Sequence, residues 1–354
     1  MSPTRRSWPG VLLAGILLLA GPATGTAQTP DVVTTPEITY DVDYEVRIVP
    51  TERSARVTIR ITDPSNGLLS LRFRHDPERH VGFSGDGDVL VEDQWVAWTP
   101  PKLGGRLRYT VRIDHLRNAE SYDSRSTRHW ALLRGDALVP PASVRTDRMA
   151  HSVSKLRLRL PEGWSAVLPY ERVADGLYAI DNPRRRFDRP VGWMLFGRLG
   201  VVRERVAGTR IAIGGPVGQG MRRKDQLALL RWTLPALREI APLPERIAIV
   251  GAADPMWRGG LSGPNSAYLH ASLPLISEDG TSPLLHEMVH VWMGARSGAD
   301  GDWIVEGSRS SIPSRRWSAR VRSRNGVMNA RSRVSNARAE ACAASWRRRG
   351  RPAR

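Results

Sequence analysis

Apolar and polar residues alternate through much of the stretch from 38 to 200. Tyr40, Val42, Tyr44, Val46 and Ile48 are separated by mostly polar or charged side chains, the period-two pattern of a strand with one buried face. Val57, Ile59 and Ile61 repeat the pattern, as do Leu107, Tyr109, Val111 and Ile113. Val153, Leu156, Leu158 and Leu160 follow it more loosely before Pro161, Glu162 and Gly163 break it. Turn-forming clusters at 63–67 and 84–87 punctuate the runs. Strands at this spacing predict an antiparallel β-sandwich over residues 38–200, with its charged residues on solvated faces.

Near residue 200 the texture changes. Residues 222–240 place Leu227, Leu229, Leu230, Leu234, Leu237 and Ile240 on one broad apolar face, which predicts a helix that Pro235 kinks or ends. Residues 245–251 form a short apolar strand, and a glycine-rich stretch at 258–264 leads into a second strand over 266–273. Ser282 followed by Pro283 is a strong helix start, an N-cap with proline at the first helical position. No internal repeat is present.

The chain of 354 residues, 41% hydrophobic and 25% charged, has a globular composition and room for two domains. Its first 27 residues read as a signal peptide: Arg5 and Arg6, an apolar core at 11–20, and small residues at 25–27 suited to cleavage. An uncleaved signal anchor is the alternative. Residues 28–37 form a Thr/Pro linker. The reading predicts export to the periplasm or beyond, with no membrane contact past the signal segment. The single Cys342 excludes an internal disulfide.

The net charge of +18 suggests nucleic acid until its distribution is considered. Residues 308–354 hold 14 Arg, no Lys and one acid, Glu340, a local charge of +13. The rest of the chain is nearly balanced. The body therefore carries no nucleic-acid signature.

Residues 286–290 read HEMVH. On a helix, His286 and His290 project from one face and can grip a single ion, while Glu287 sits beside them as a base. Two imidazoles and a carboxylate suit zinc, leaving a coordination position open for water. Leu284, Leu285, Met288, Val289 and Trp292 make the rest of the helix apolar, so its polar trio calls for a reason. Asp302 can cap a second helix that presents Glu306 one turn in, as a third ligand.

The run HEMVHVWMG followed by WIVEG resembles the gluzincin metallopeptidases, closest to their glycyl aminopeptidase-like branch and more distantly to aminopeptidase N. Trp292 and Trp303 stand where those families carry aromatics beside their ligands. The resemblance implies an α+β fold, a β-sandwich followed by a thermolysin-like domain over 201–307 that is incomplete at its C-terminus. It further implies one zinc ion on His286, His290 and Glu306, with Glu287 as general base and a peptide or protein as substrate. Gly259, Gly260, Leu261 and Ser262 resemble the edge strand that pairs with substrate backbone in these enzymes. Ser262 replaces a glutamate that in aminopeptidases holds the substrate's amino group, so aminopeptidase specificity is not supported. The gap between His290 and Glu306 is also a few residues shorter than in aminopeptidase N. His270, near this strand, reads equally as a substrate contact or as a satisfied structural histidine.

The implied chemistry is metal-assisted hydrolysis, in which Glu287 takes a proton from the attacking water and passes it to the leaving amine. A donor for the developing oxyanion is also needed, yet no Tyr or His follows Glu306. The preferred reading of the basic tail accounts for that gap as a frameshift at Gly307. With permitted codons, the residues after Gly307 read one base earlier become LAEFYSLA, close to what the family places after its glutamate. Two rivals stand beside this reading. One is a catalytically impaired zinc- or peptide-binding protein of the same fold. The other is a binder of nucleic acid or anionic surfaces through the tail, with Trp317 and Trp346 stacking, whose salt-dependent binding would vanish on deleting 308–354. Resequencing the coding DNA from codon 280 past the stop is expected to open, on a one-base correction at codon 307, a longer frame containing LAEFY or its like. An intact frame would favour the binding-protein rival.

Overall fold

Alternation along Thr39–Val49 sends Tyr40, Val42, Tyr44, Val46 and Ile48 inward, none more than 3% exposed, and this strand is the spine of the first sheet. The computed structural model describes residues 38–62, 67–147, 150–182, 186–240 and 242–293. The expected signal peptide, linker, Glu306 and basic tail lie outside the described residues.

Seven strands form the first sheet, in the order Glu171–Ala174, Leu177–Ile180, His151–Arg159, Thr39–Val49, Ser54–Ile61, Gly105–Arg112 and His80–Gly85. A four-stranded sheet (Ala142–Thr146, Leu68–Arg74, Trp95–Thr99, Asp88–Val91) shares its core, with Leu71, Phe73, Val96 and Trp98 joining Val42, Tyr44 and Ile59. This is the expected sandwich with one correction: Thr39–Val49 and His151–Arg159 pair in parallel, so the large sheet is mixed. A parallel pair needs a long crossover, and the hundred or so residues between these strands supply one by building other strands on the way.

The strand His151–Arg159 corrects a second expectation. Leu156 and Leu158 are buried, but Val153 is 45% exposed and Ser154 takes the inward position, donating its hydroxyl to the Asp188 carbonyl at 2.8 Å. Inward residues on a strand share parity; Val153 has the wrong one.

A third sheet runs Ser165–Val167, Trp193–Gly197, Trp130–Arg134, Tyr122–Ser126 and His115–Leu116. Its two central strands are apolar on both faces. Ala131, Leu133, Met194 and Phe196 enter the sandwich core, while Trp130, Leu132, Trp193 and Leu195 enter a second core with Val250, Met256 and Tyr268.

The fourth sheet has the order Leu199–Val206, Thr209–Pro216, Arg246–Val250, Ser266–Leu269 and Gly260–Gly263. The inner pairs are parallel and the two outer pairs antiparallel. Two helices, Arg223–Arg238 and Pro283–Met293, share a core with Ile211, Ile213, Ile247 and Ile249 on one face of it. The expected helix at 222–240 forms with Leu227, Leu229, Leu230, Leu234 and Leu237 buried, and Pro235 lies within it. Ile240 falls past the helix end and is 41% exposed. No described helix is long and apolar enough to cross a membrane.

The register of His151–Arg159 is open to test by equilibrium unfolding. Leu156→Ala is expected to cost about 2–5 kcal/mol and Val153→Ala less than about 0.5 kcal/mol; equal losses would contradict the assigned parity.

Candidate metal centre and the strand beside it

The helix Pro283–Met293 starts as its sequence dictates. Ser282 accepts from the Leu285 amide through its hydroxyl at 3.4 Å, and its carbonyl takes the first intrahelical bond, from the His286 amide, at 2.9 Å. Proline at the next position has no amide hydrogen to lose. Leu284, Leu285, Met288, Val289 and Val291 are buried, which fixes the helix's rotation against the sheet. Trp292 anchors the far end, donating its indole N–H to the Pro242 carbonyl at 3.0 Å.

That rotation brings the two histidines together. The Nε2 atoms of His286 and His290 are 2.9 Å apart, with ring centroids at 4.6 Å. At that separation the imidazoles share a proton or direct both lone pairs at one cation. Two nitrogens bound to a tetrahedral zinc ion lie about 3.3 Å apart, so a small outward movement of either ring accommodates the metal. The described residues supply two of the three expected ligands; Glu306 lies outside them. Among the described residues no group of three potential ligands is assembled.

Glu287 is 7% exposed and faces the strand Gly260–Gly263. A Cβ on Gly260 would stand 2.7 Å from the Glu287 Oε1 and 2.8 Å from its Cγ, closer than real side chains approach. Gly260 is thus the residue that lets the strand pass over the carboxylate. Antiparallel pairing sets Gly260 opposite Leu269, Leu261 opposite Tyr268 and Ser262 opposite Ala267. Side chains alternate along a strand, so Ser262 shares Gly260's face, the one toward Glu287. Leu261 packs the other way, among Trp193, Tyr268 and their neighbours. Gly260–Gly263 is the terminal strand of its sheet, leaving one main-chain edge without a strand partner among the described residues.

The segment leading into this strand is heavily tied down. The Tyr268 hydroxyl donates to the Trp257 carbonyl at 2.7 Å, and the His270 amide to the Gly259 carbonyl at 3.1 Å. Trp257 and Tyr122 are joined by the Trp257 amide to the Tyr122 carbonyl at 3.0 Å, and the Tyr122 amide bonds the Pro255 carbonyl at 2.9 Å. Trp193 donates its amide to the Ser266 hydroxyl at 2.8 Å, holding the hairpin from beneath. His270 is 2% exposed; its Nδ1 meets the Ser272 hydroxyl at 2.7 Å, while its Nε2 lies 3.4 Å from Asp254 without a hydrogen bond among the described residues. Burial lowers its pKa, favouring the neutral ring. Asp254, Trp257 and Tyr122 carried no motif; only their convergence on one strand reveals their part.

The structure brings together His286, Glu287, His290 and Gly260, with Leu261 and Ser262 on the same strand as Gly260 and Gly259 just before it. No protein-family model matches the chain, and a significant match to a curated protein is likewise lacking. Solved structures to which the chain is similar include the aminopeptidase N family protein from Idiomarina loihiensis, 14% identical over 75% of this chain and 45% of that one, with a TM-score of 0.49. Another is the M1 zinc metallopeptidase from Deinococcus radiodurans, 16% identical over 73% of this chain and 64% of that one, with a TM-score of 0.43. The chain thus spans about half to two thirds of the length of these neighbours. At such identities and TM-scores below 0.5 the likeness fixes neither family nor activity.

Gly260→Ala is expected to displace the Glu287 carboxylate and lower stability by about 1–3 kcal/mol. A double-mutant cycle with Glu287→Ala checks the contact by thermal unfolding: the alanine at 260 should cost measurably less once the carboxylate is gone. Additive losses would mean the two do not touch.

Proposed function

We propose that the chain is a zinc-dependent peptidase of the gluzincin type, acting outside the cytoplasm on peptide or protein substrates. His286, His290 and Glu306 are its metal ligands and Glu287 its general base. The observation that carries this reading is the convergence of two imidazoles on the helix whose buried Glu287 faces Gly260, in the terminal strand of its sheet among the described residues. Imidazole pairs of this spacing suit zinc, and a carboxylate beside them is placed to serve as a base.

Bound by these ligands, zinc supplies Lewis acidity, polarising a carbonyl and acidifying water. Everything else falls to the chain. The free edge of Gly260–Gly263 offers backbone groups that hold an extended peptide as an added strand. The absence of a side chain at Gly260 keeps that peptide's path close to Glu287. The carboxylate accepts a proton from the attacking water and returns it to the departing amine. Burial by the strand and helix limits competing solvent around it. Ser262, on the same face, carries no charge with which to hold a substrate's amino terminus. The thermolysin-like character of the domain and its aminopeptidase-like kinship belong to this same reading.

Glu287→Gln is expected to bind zinc like the parent protein and to lose about 10²–10⁴-fold in hydrolysis of a peptide mixture, followed by amine release. Equal hydrolysis by the two proteins would defeat the assignment. Zinc at a hundredfold excess over its Kd should stabilise the protein by about 2.7 kcal/mol, a gain that His290→Ala should abolish in a thermal melt. Any activity of the parent should vanish with a chelator and return with zinc.

A further inference from the structure

A deep groove on the described surface lies away from the histidine helix. It holds about 1240 Å³ where the edge of the seven-stranded sheet meets the sheet that carries the two helices. Arg210 and Ala212 turn toward it, while Ile211 and Ile213 on the same strand pack beneath the helices. Alternation on a strand therefore puts this groove across the sheet from the candidate metal centre.

The deepest charges in the groove satisfy one another. Arg246, with an 11% exposed side chain, reaches Glu171 at 2.8 Å and also pairs with Asp181. Arg210 meets Glu171 at 2.8 Å and also pairs with Glu245. The Arg210 guanidinium holds the Glu171 carboxyl below its ordinary pKa. Nearer the mouth the balance fails. Among the described residues Arg47 and Arg203 meet no carboxylate, and Arg203 spends one N–H on the Ala166 carbonyl at 3.3 Å. Among the described residues Arg159 has only Glu45, at 3.9 Å, and both side chains are about half exposed. Arg172 pairs with Asp175, whose carboxyl is almost fully exposed, and such pairs are cheap to exchange. The Tyr178 hydroxyl lies within the electrostatic reach of both Arg172 and Arg203. These residues are guanidinium and phenol donors with few acceptors to meet.

The wall is also a sheet edge. Glu171–Ala174 is the outermost of its seven strands, pairs among the described residues only with Leu177–Ile180, and is exposed along its length. A terminal strand leaves main-chain donors and acceptors for another extended chain. Polyphosphate or nucleic acid would use the arginines and leave that edge idle.

We propose that this groove binds an acidic, extended polypeptide segment, which lies along Glu171–Ala174 and sets its carboxylates against Arg47, Arg172 and Arg203. The site is independent of peptide hydrolysis and would serve equally in a chain that hydrolyses nothing.

The test uses the full chain and a fluorescein-labelled decaglutamate, followed by anisotropy, with decalysine and a deoxythymidine decamer as comparisons. Because residues 308–354 are themselves strongly basic, a tail variant (Arg347→Glu with Arg348→Glu and Arg349→Glu) is measured beside a groove variant (Arg47→Glu with Arg203→Glu). Decaglutamate is expected to bind the parent, to weaken at least about tenfold in the groove variant, and to change by less than about twofold in the tail variant. Loss that follows the tail variant, or unchanged binding in the groove variant, would overturn the proposal. So would a deoxythymidine decamer that binds as tightly and depends as strongly on Arg47 and Arg203. If the groove variant does not fold, hydrogen exchange on the unsubstituted chain decides. Saturating decaglutamate should protect residues 171–178, and no protection there would also overturn the assignment.

Discussion

Two apolar strands with no polar face hold the described residues together. In Trp130–Arg134 and Trp193–Gly197, successive side chains enter different cores, so burial on one side cannot be traded against exposure on the other. Fully burying each large side chain is worth about 1.5–3 kcal/mol, and these strands commit nearly all of theirs. The sandwich core and the core beneath the last sheet are therefore not free to slide past each other. The hydrogen bond from the Trp193 amide to the Ser266 hydroxyl carries that rigidity directly into the hairpin that ends at Gly260–Gly263.

The candidate centre depends on this transmission. His286, Glu287 and His290 need only a helix to share a face, and Ser282 and Pro283 supply its start. Placing Glu287 against the sheet edge is a different requirement. It takes a strand without a side chain at one position, held at fixed height by Tyr268, Trp257, Tyr122 and His270 from several parts of the chain. A carboxylate at that spot is shielded from solvent yet adjacent to an open main-chain edge. A base proposed for this spot would stand beside main-chain groups able to hold an extended substrate.

Charge is organised differently on the two faces of the last sheet. The helix face packs an apolar core, with His286 and His290 half-buried at its margin. The opposite face gathers arginines, with the deep ones neutralised by Glu171, Asp181 and Glu245 and the outer ones in exposed pairs or, among the described residues, without a carboxylate. Isolated surface pairs contribute little to stability, so the excess near the mouth is better understood as recognition chemistry than as reinforcement.

Strands with one wet face were legible in the sequence because their period is visible: Tyr40 to Ile48, Val57 to Ile61 and Leu107 to Ile113 all turned inward as their spacing required. So were the leucines of Arg223–Arg238 and the start of the histidine helix, which depend on local backbone chemistry. The strands Trp130–Arg134 and Trp193–Gly197 escaped notice, since a continuous apolar run carries no period to detect. The parallel pairing of Thr39–Val49 with His151–Arg159 was equally hidden, because the order of strands in a sheet is set by distant partners. At the candidate centre, sequence alone put His286, Glu287 and His290 on one helical face, as spacing is a local property. That Gly260 lies over Glu287, and that His270 is held by Ser272 and Asp254, was decided by tertiary structure, because each contact joins segments whose separation along the chain says nothing of their distance in space.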